Sequence, residues 1–331
     1  MTLPSEGVET PTALSKATRS PAPCPISAPC LVRATSSRAQ PVARASVQEC
    51  PLSAVSSCDP KTNAALTKIS EHVYWMPPGP PDRPSVCAVV GNRGTLMLDA
   101  GSSKAHTRAF LDALRAEGAA RPSAVVYTHS HWDHVFGGAE LGEQVIAQAL
   151  TAEQLIGLAA MDWSDEGLDQ RVAAGDASTQ HAANVKEEMP SPRTVEVAPA
   201  DIVFHDRLEI ELGGVTVRVR HVGGDHCAES TVMHVEPDRV LFLGDCMYES
   251  SAGVLTADLA LPLVDAILRF DAELYVEGHD PSVSSRQDIE DLIQKVRLAE
   301  KAVREGSAIA VPDEDTESFV QAFRAGRATA S

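Results

Sequence analysis

No apolar run in the 331 residues is long enough to cross a bilayer, and no continuous apolar core follows a basic start. A membrane partner and a secretory leader are therefore not expected. The seven cysteines form no C-x-x-C pair and no regular framework. That pattern argues against a disulfide scaffold and for a reduced, cytoplasmic setting. Basic charge is also scarce: 28 Lys and Arg stand against 46 Asp and Glu, a formal net charge of -18. Such a surface matches a phosphate backbone poorly, so no nucleic-acid partner is expected. Acidic residues are missing between Thr10 and Gln48, where Lys16, Arg19, Arg33, Arg38 and Arg44 are spread among Ser, Thr and Ala. This is the composition of an organelle transit peptide and equally of an ordinary tail, and it leaves an organelle as the alternative location. Residues 1–62, rich in Pro, Ser, Ala and Thr and without apolar periodicity, read as a disordered extension, and residues 63–331 as the folded domain.

What is present is concentrated at Thr128-His129-Ser130-His131-Trp132-Asp133-His134-Val135-Phe136-Gly137-Gly138. Ser123 to Tyr127 reads as a short buried strand, so three imidazoles and a carboxylate sit on the loop leaving its C-terminal end. In extended backbone His129 and His131 point to one side and can grip one ion, while Asp133 and His134 lie beyond a turn and can reach a second. Neutral imidazoles with a carboxylate suit zinc, with iron or manganese as alternatives.

At these residues the chain resembles the metallo-β-lactamase superfamily, whose signature is H-x-H-x-D-H. The resemblance spans roughly Ile69 to Ala299. It includes Asp99 in T-L-M-L-D-A-G, His226 in G-G-D-H-C-A-E-S-T, Asp245 in L-F-L-G-D-C and His279 in V-E-G-H-D. It implies a four-layer αβ/βα sandwich, an α+β fold with two sheets face to face and helices outside. It also implies two Zn2+ ions: His129, His131 and His226 on the first, Asp133, His134 and His279 on the second, and Asp245 between them. Asp99 would orient the metal loop from behind. His221 competes with His226 for the third position; the Gly-flanked turn favours His226.

The rest of the chain frames this loop. Val86–Val90 and Thr95–Leu98 flank G-N-R-G, a hairpin signal. A helix follows from Ser103, with Thr107, Phe110, Leu111 and Leu114 on one face and Gly118 as its stop. The polar, helix-prone stretch from Thr151 to Pro192 holds Met161, Trp163 and Leu168, which either line a substrate pocket or anchor an ordinary helical connection. His181 in the same stretch is expected to be solvated, and His205 and His234 to fill structural roles. Val215, Val217 and Val219 alternate with Thr216, Arg218 and Arg220 after the Gly213-Gly214 turn. Pro262 to Phe270 reads as a helix with Pro at its start, and Gln287 to Val303 as a strongly amphipathic one.

The resemblance implies hydrolysis of an ester, thioester, lactone or amide in a small-molecule substrate, with Asp133 shuttling the proton. Tyr248, three residues past Asp245, matches a Tyr that assists at the carbonyl in acyl-homoserine lactonases. True β-lactamases of one branch place a Lys where this chain has Glu249, so β-lactam hydrolysis is one alternative reading and iron-based oxygen chemistry, as in persulfide dioxygenases, is another.

Overall fold

The computed structural model describes residues 65–306 and 313–329; the expected extension over residues 1–62 lies outside them. Strands β1 (Thr67–Lys68), β2 (Val73–Met76), β3 (Val86–Gly91), β4 (Gly94–Leu98), β5 (Ala124–Val126), β6 (Gln144–Gln148) and β7 (Ile202–Phe204) lie side by side in that order in one sheet. The second sheet runs β13 (Ser284–Ser285), β12 (Leu274–Glu277), β11 (Val240–Gly244), β10 (Thr231–Glu236), β9 (Thr216–His221) and β8 (Arg207–Glu211).

Alternation along these strands builds the layers. In β3, Val86 and Ala88 face helices while Cys87 and Val89 face the other sheet. In β11, Leu241 and Leu243 face helices and Val240 and Phe242 look inward. Strands apolar on both faces must be covered on both, which forces a sandwich with helices outside. Between the sheets Trp75, Leu96, Leu98 and Val126 meet Val217, Val219, Met233 and Phe242. Outside the first sheet lie α1 (Lys104–Ala116), α4 (Ala149–Ala160), α5 (Asp165–Ala174) and α6 (Thr179–Glu188), and outside the second α7 (Ala257–Ile267), α8 (Arg286–Glu305) and α9 (Glu314–Thr329). Two one-turn helices, α2 (Trp132–Val135) and α3 (Gly138–Leu141), carry the metal-loop segment. This is the αβ/βα sandwich the motifs implied.

Local chemistry accounts for most boundaries. Ser103 caps α1 by accepting from the His106 amide, and Ser285 with Asp288 forms a capping box on α8. Helix α7 departs from expectation, since it begins at Ala257 and holds Pro262 in its interior. Burial of Ala260, Leu263, Val264 and Ile267 against the second sheet outweighs the hydrogen bond that Pro262 cannot donate. The polar stretch is three helices, and its aromatic resolves to an anchor. Trp163 packs edge-on to Phe136 and its indole N–H donates to the Leu158 carbonyl, with Leu168 fully buried beside it. Among the described residues no helix is long and apolar enough to cross a membrane.

Candidate metal centre

Strands β4, β5, β6 and β7 run parallel, as do β11 and β12, so their C-terminal ends deliver loops to one rim of the sandwich. Asp99 leaves β4, His129 and His131 follow β5, Asp245 follows β11 and His279 follows β12, while His226 comes from the bends after β9. Two glycines in the sequence pairs are steric requirements. A Cβ on Gly244 would lie 2.7 Å from Thr128 Cγ2, and one on Gly278 would lie 1.9 Å from Asp245 Oδ1. The G-D and G-H pairs therefore let two strand ends close on the metal loop.

Two clusters result. Donor atoms of His129, His131, His226 and Cys227 lie within 4.8 Å of one another, as do those of Asp133, His134, Asp245 and His279. Asp245 Oδ2 sits between the clusters, 3.9 Å from His129 Nε2 and 3.5 Å from His226 Nε2 on one side. On the other side it is 3.3 Å from His134 Nε2 and 3.5 Å from His279 Nε2. Asp133 Oδ2 approaches His279 Nε2 at 3.1 Å and His134 Nε2 at 3.3 Å.

Hydrogen bonds behind the rings fix which nitrogen faces inward. Asp99, fully buried and with φ of 56°, accepts from the Thr128 amide, the Thr128 hydroxyl and His134 Nδ1, each at 2.7 Å. Because the Thr128 hydroxyl donates to Asp99, it must accept from His129 Nδ1, 2.9 Å away. His226 Nδ1 donates to the Glu249 carbonyl at 3.1 Å. All three rings therefore turn an unprotonated Nε2 inward when neutral. His129 Nε2 and His134 Nε2 are buried with no hydrogen-bond partner among the described residues. A buried nitrogen lone pair with no donor is costly, and a cation satisfies it. The residues thus fit metal ions.

Charge differs between the clusters. Burial, then the neighbouring imidazoles His134 and His131, drives His129 well below the usual histidine range, and burial with His226 lowers His131 to about 3. Both are neutral and ready to ligate. In the second cluster burial opposes protonation but the carboxylates prevail: Asp245 and Asp133 raise His279 to about 10 and hold His134 well above its ordinary value. That pocket favours positive charge, which a metal would supply in place of ring protons.

His221 lies outside both clusters, bonded through Nε2 to the Ala228 carbonyl at 2.7 Å. His234 is buried against the Asp271 carbonyl, whereas His205 is exposed in the bend after β7. His181 is not solvated. It is 1% exposed, with Trp132 and Trp163 packed edge-on and tilted against its ring, and burial lowers it to about 4. Its helix buries a mixed face of His181, Ala182, Asn184 and Val185, which leaves no apolar stripe to read. Tyr248 stands at the rim with ring centroids 6.2 Å from His226 and 6.4 Å from His279, and its oxygen accepts from the His279 amide.

Three neighbours escaped the sequence reading. Asp82, on the Pro-rich loop before β3, accepts from Asn184 Nδ2 and lies 3.9 Å from His279 Nδ1. Buried Glu229 accepts from the Ser130 hydroxyl at 2.6 Å. Cys227 Sγ is 3.3 Å from His131 Nε2. Only the adjacency of Cys227 to His226 signalled anything, and extended backbone would have sent the two side chains to opposite faces.

A double-sheet sandwich with a histidine and aspartate centre on its rim defines a class of metal-binding proteins. A family profile described as the metallo-beta-lactamase superfamily matches residues 80–302, and the chain belongs to that superfamily. No curated protein matches. Among solved structures, a metallo-beta-lactamase from Pontibacter korlensis is 19% identical over 69% of this chain and 96% of its own, with a TM-score of 0.47. A B3 metallo-beta-lactamase with an active-site glutamic acid is 15% identical over 76% of this chain and 100% of its own, at 0.50. A double mutant of a sec-alkyl sulfatase is 15% identical over 73% of this chain and 43% of its own, at 0.53. At these identities the likeness concerns the fold.

Proposed function

We propose that the chain is a hydrolase of small-molecule carbonyl compounds, an ester, thioester, lactone or amide, working with two metal ions, of which zinc suits the donors best. The observation that supports this most is Asp245 Oδ2, which faces inward-turned Nε2 atoms of both clusters at 3.3 to 3.9 Å. His129, His131 and His226 would hold the first ion, Asp133, His134 and His279 the second, with Asp245 shared. Bound there, the cations would acidify a coordinated water and polarise the substrate carbonyl.

The protein groups supply positioning and proton movement. Asp99 and Thr128 hold His129 and His134 in the ligating tautomer. The Asp133 carboxylate, against His279 and His134 in the second cluster, would take the nucleophile's proton and pass it to the leaving group. The Tyr248 hydroxyl, at the rim, would donate to the carbonyl oxygen as charge develops on it. Glu249, whose backbone carbonyl accepts from His226, would disfavour substrates with a carboxylate beside the scissile bond, β-lactams among them.

The test is hydrolysis of a lactone, thioester, ester and β-lactam panel by metal-loaded wild type and His131→Ala. Turnover of one neutral class that disappears with His131 supports the reading. Full activity in His131→Ala, or no turnover of any class by the loaded wild type, overturns it.

A further inference from the structure

The bends between β9 and β10 turn two consecutive side chains the same way, so that His226 and Cys227 are both buried against His131. We propose that Cys227 is a further protein ligand of the first ion, adding a thiolate to its three imidazoles and the shared Asp245. This rests on the two-ion reading above and adds a ligand to it.

Three observations carry the inference. Geometrically, the donor atoms of His129, His131, His226 and Cys227 share one small volume. For zinc–nitrogen bonds of about 2.0–2.1 Å and a zinc–sulfur bond of about 2.3 Å, the edges of a tetrahedron are roughly 3.3 Å between nitrogens and 3.6 Å from nitrogen to sulfur. His226 Nε2 lies 3.1 Å from His131 Nδ1, and Cys227 Sγ lies 3.3 Å from His131 Nε2. These contacts use opposite nitrogens of the His131 ring, so loading the site requires that ring to turn one of them to the centre. Independently, His129 Nε2 is buried in the same volume with no hydrogen-bond partner among the described residues, a lone pair with no donor to satisfy it. Electrostatically, the second cluster holds Asp133 and shares Asp245, whereas the first has three imidazoles and only the shared carboxylate. A thiolate supplies the missing negative charge.

Binding would release the Cys227 Sγ proton to solvent, one proton for the one metal–sulfur bond formed. The two sites then differ in kind. The first would contain sulfur, favouring softer ions, and the second is built of imidazole and carboxylate.

The experiment uses the full chain. Loaded with cobalt(II), wild type should show a thiolate-to-cobalt charge-transfer band in the near ultraviolet. Cys227→Ser should lose the band, and Cys246→Ser, at a buried thiol in the core under the second sheet and in neither cluster, should keep it. X-ray absorption of zinc-loaded wild type, which needs no variant to fold, should find sulfur at about 2.3 Å. A band that survives in Cys227→Ser overturns the proposal. About two ions bound with only nitrogen and oxygen neighbours overturns it while leaving the two-ion hydrolase intact, and no bound ion overturns both.

Discussion

Replacing Asp99 with Asn tests how the centre is held, because one side chain of unchanged size sets the tautomers of two ligands. Its carboxylate accepts three hydrogen bonds, from the Thr128 amide, the Thr128 hydroxyl and His134 Nδ1. An amide can keep the first by placing its oxygen there, but its NH2 then faces the other two. His134 must accept at Nδ1 and move its proton to Nε2. The Thr128 hydroxyl must turn its hydrogen to His129 Nδ1, which likewise protonates His129 Nε2. One ligand in each cluster then presents N–H to a cation. The opposite amide orientation sets NH2 against the Thr128 amide. Either way at least one hydrogen bond to a charged acceptor is lost, about 1.5–3 kcal/mol of stability in the metal-free protein. Partners of this kind are worth about 10–100-fold in metal affinity each. Competition with a chromophoric chelator reads the affinity and denaturant unfolding reads the stability. Binding of both ions by Asp99→Asn at wild-type affinity would refute the tautomer assignment.

Other outcomes follow from single contacts. Gly278→Ala should displace Asp245, whose Oδ1 would lie 1.9 Å from the new methyl group, and elemental analysis should find depleted metal in a folded protein; wild-type content would contradict this. Free histidine titrates near 6.5 and buried His181 at about 4, so the unfolded chain binds the extra proton in between. The stability that His181 contributes by staying neutral is present above about pH 6.5 and lost as pH falls towards 4, by about 3 kcal/mol. His181→Phe should flatten that part of the profile in denaturant melts at pH 7 and pH 5, and an unchanged slope would count against it. Arg83 Nε bonds both oxygens of the buried Glu188 carboxylate, which also accepts from Ser103. Arg83→Ala should therefore cost about 3 kcal/mol with metal content preserved, and a cost below about 1 kcal/mol would show that the pair is dispensable.

Features whose cause is local were the ones legible in the sequence. The sandwich was implied by the resemblance that the H-x-H-x-D-H loop carries, and His129, His131, Asp133 and His134 announced a metal loop because six residues after a strand cannot diverge far. Asp99, Asp245 and His279 were reached through the resemblance, and steric contact at Gly244 and Gly278 explains the glycines before the last two. Asp82 was illegible because it reaches His279 only through tertiary folding, across 197 positions of chain. Cys227 was passed over because period-2 reasoning fails in bends. His181 was misplaced because a helix that buries polar side chains against two tryptophans has no apolar period to detect. Pro262 set a false helix start because packing, not propensity, decides that end.

A two-ion centre for hydrolysis on this rim would show in the metal that the protein carries. Elemental analysis of the full chain purified without added metal, beside the substrate panel, tests it most directly. About two zinc per chain with turnover of one carbonyl class is the expected result. One iron per chain, with no hydrolysis and with oxygen consumption on a persulfide, would contradict it.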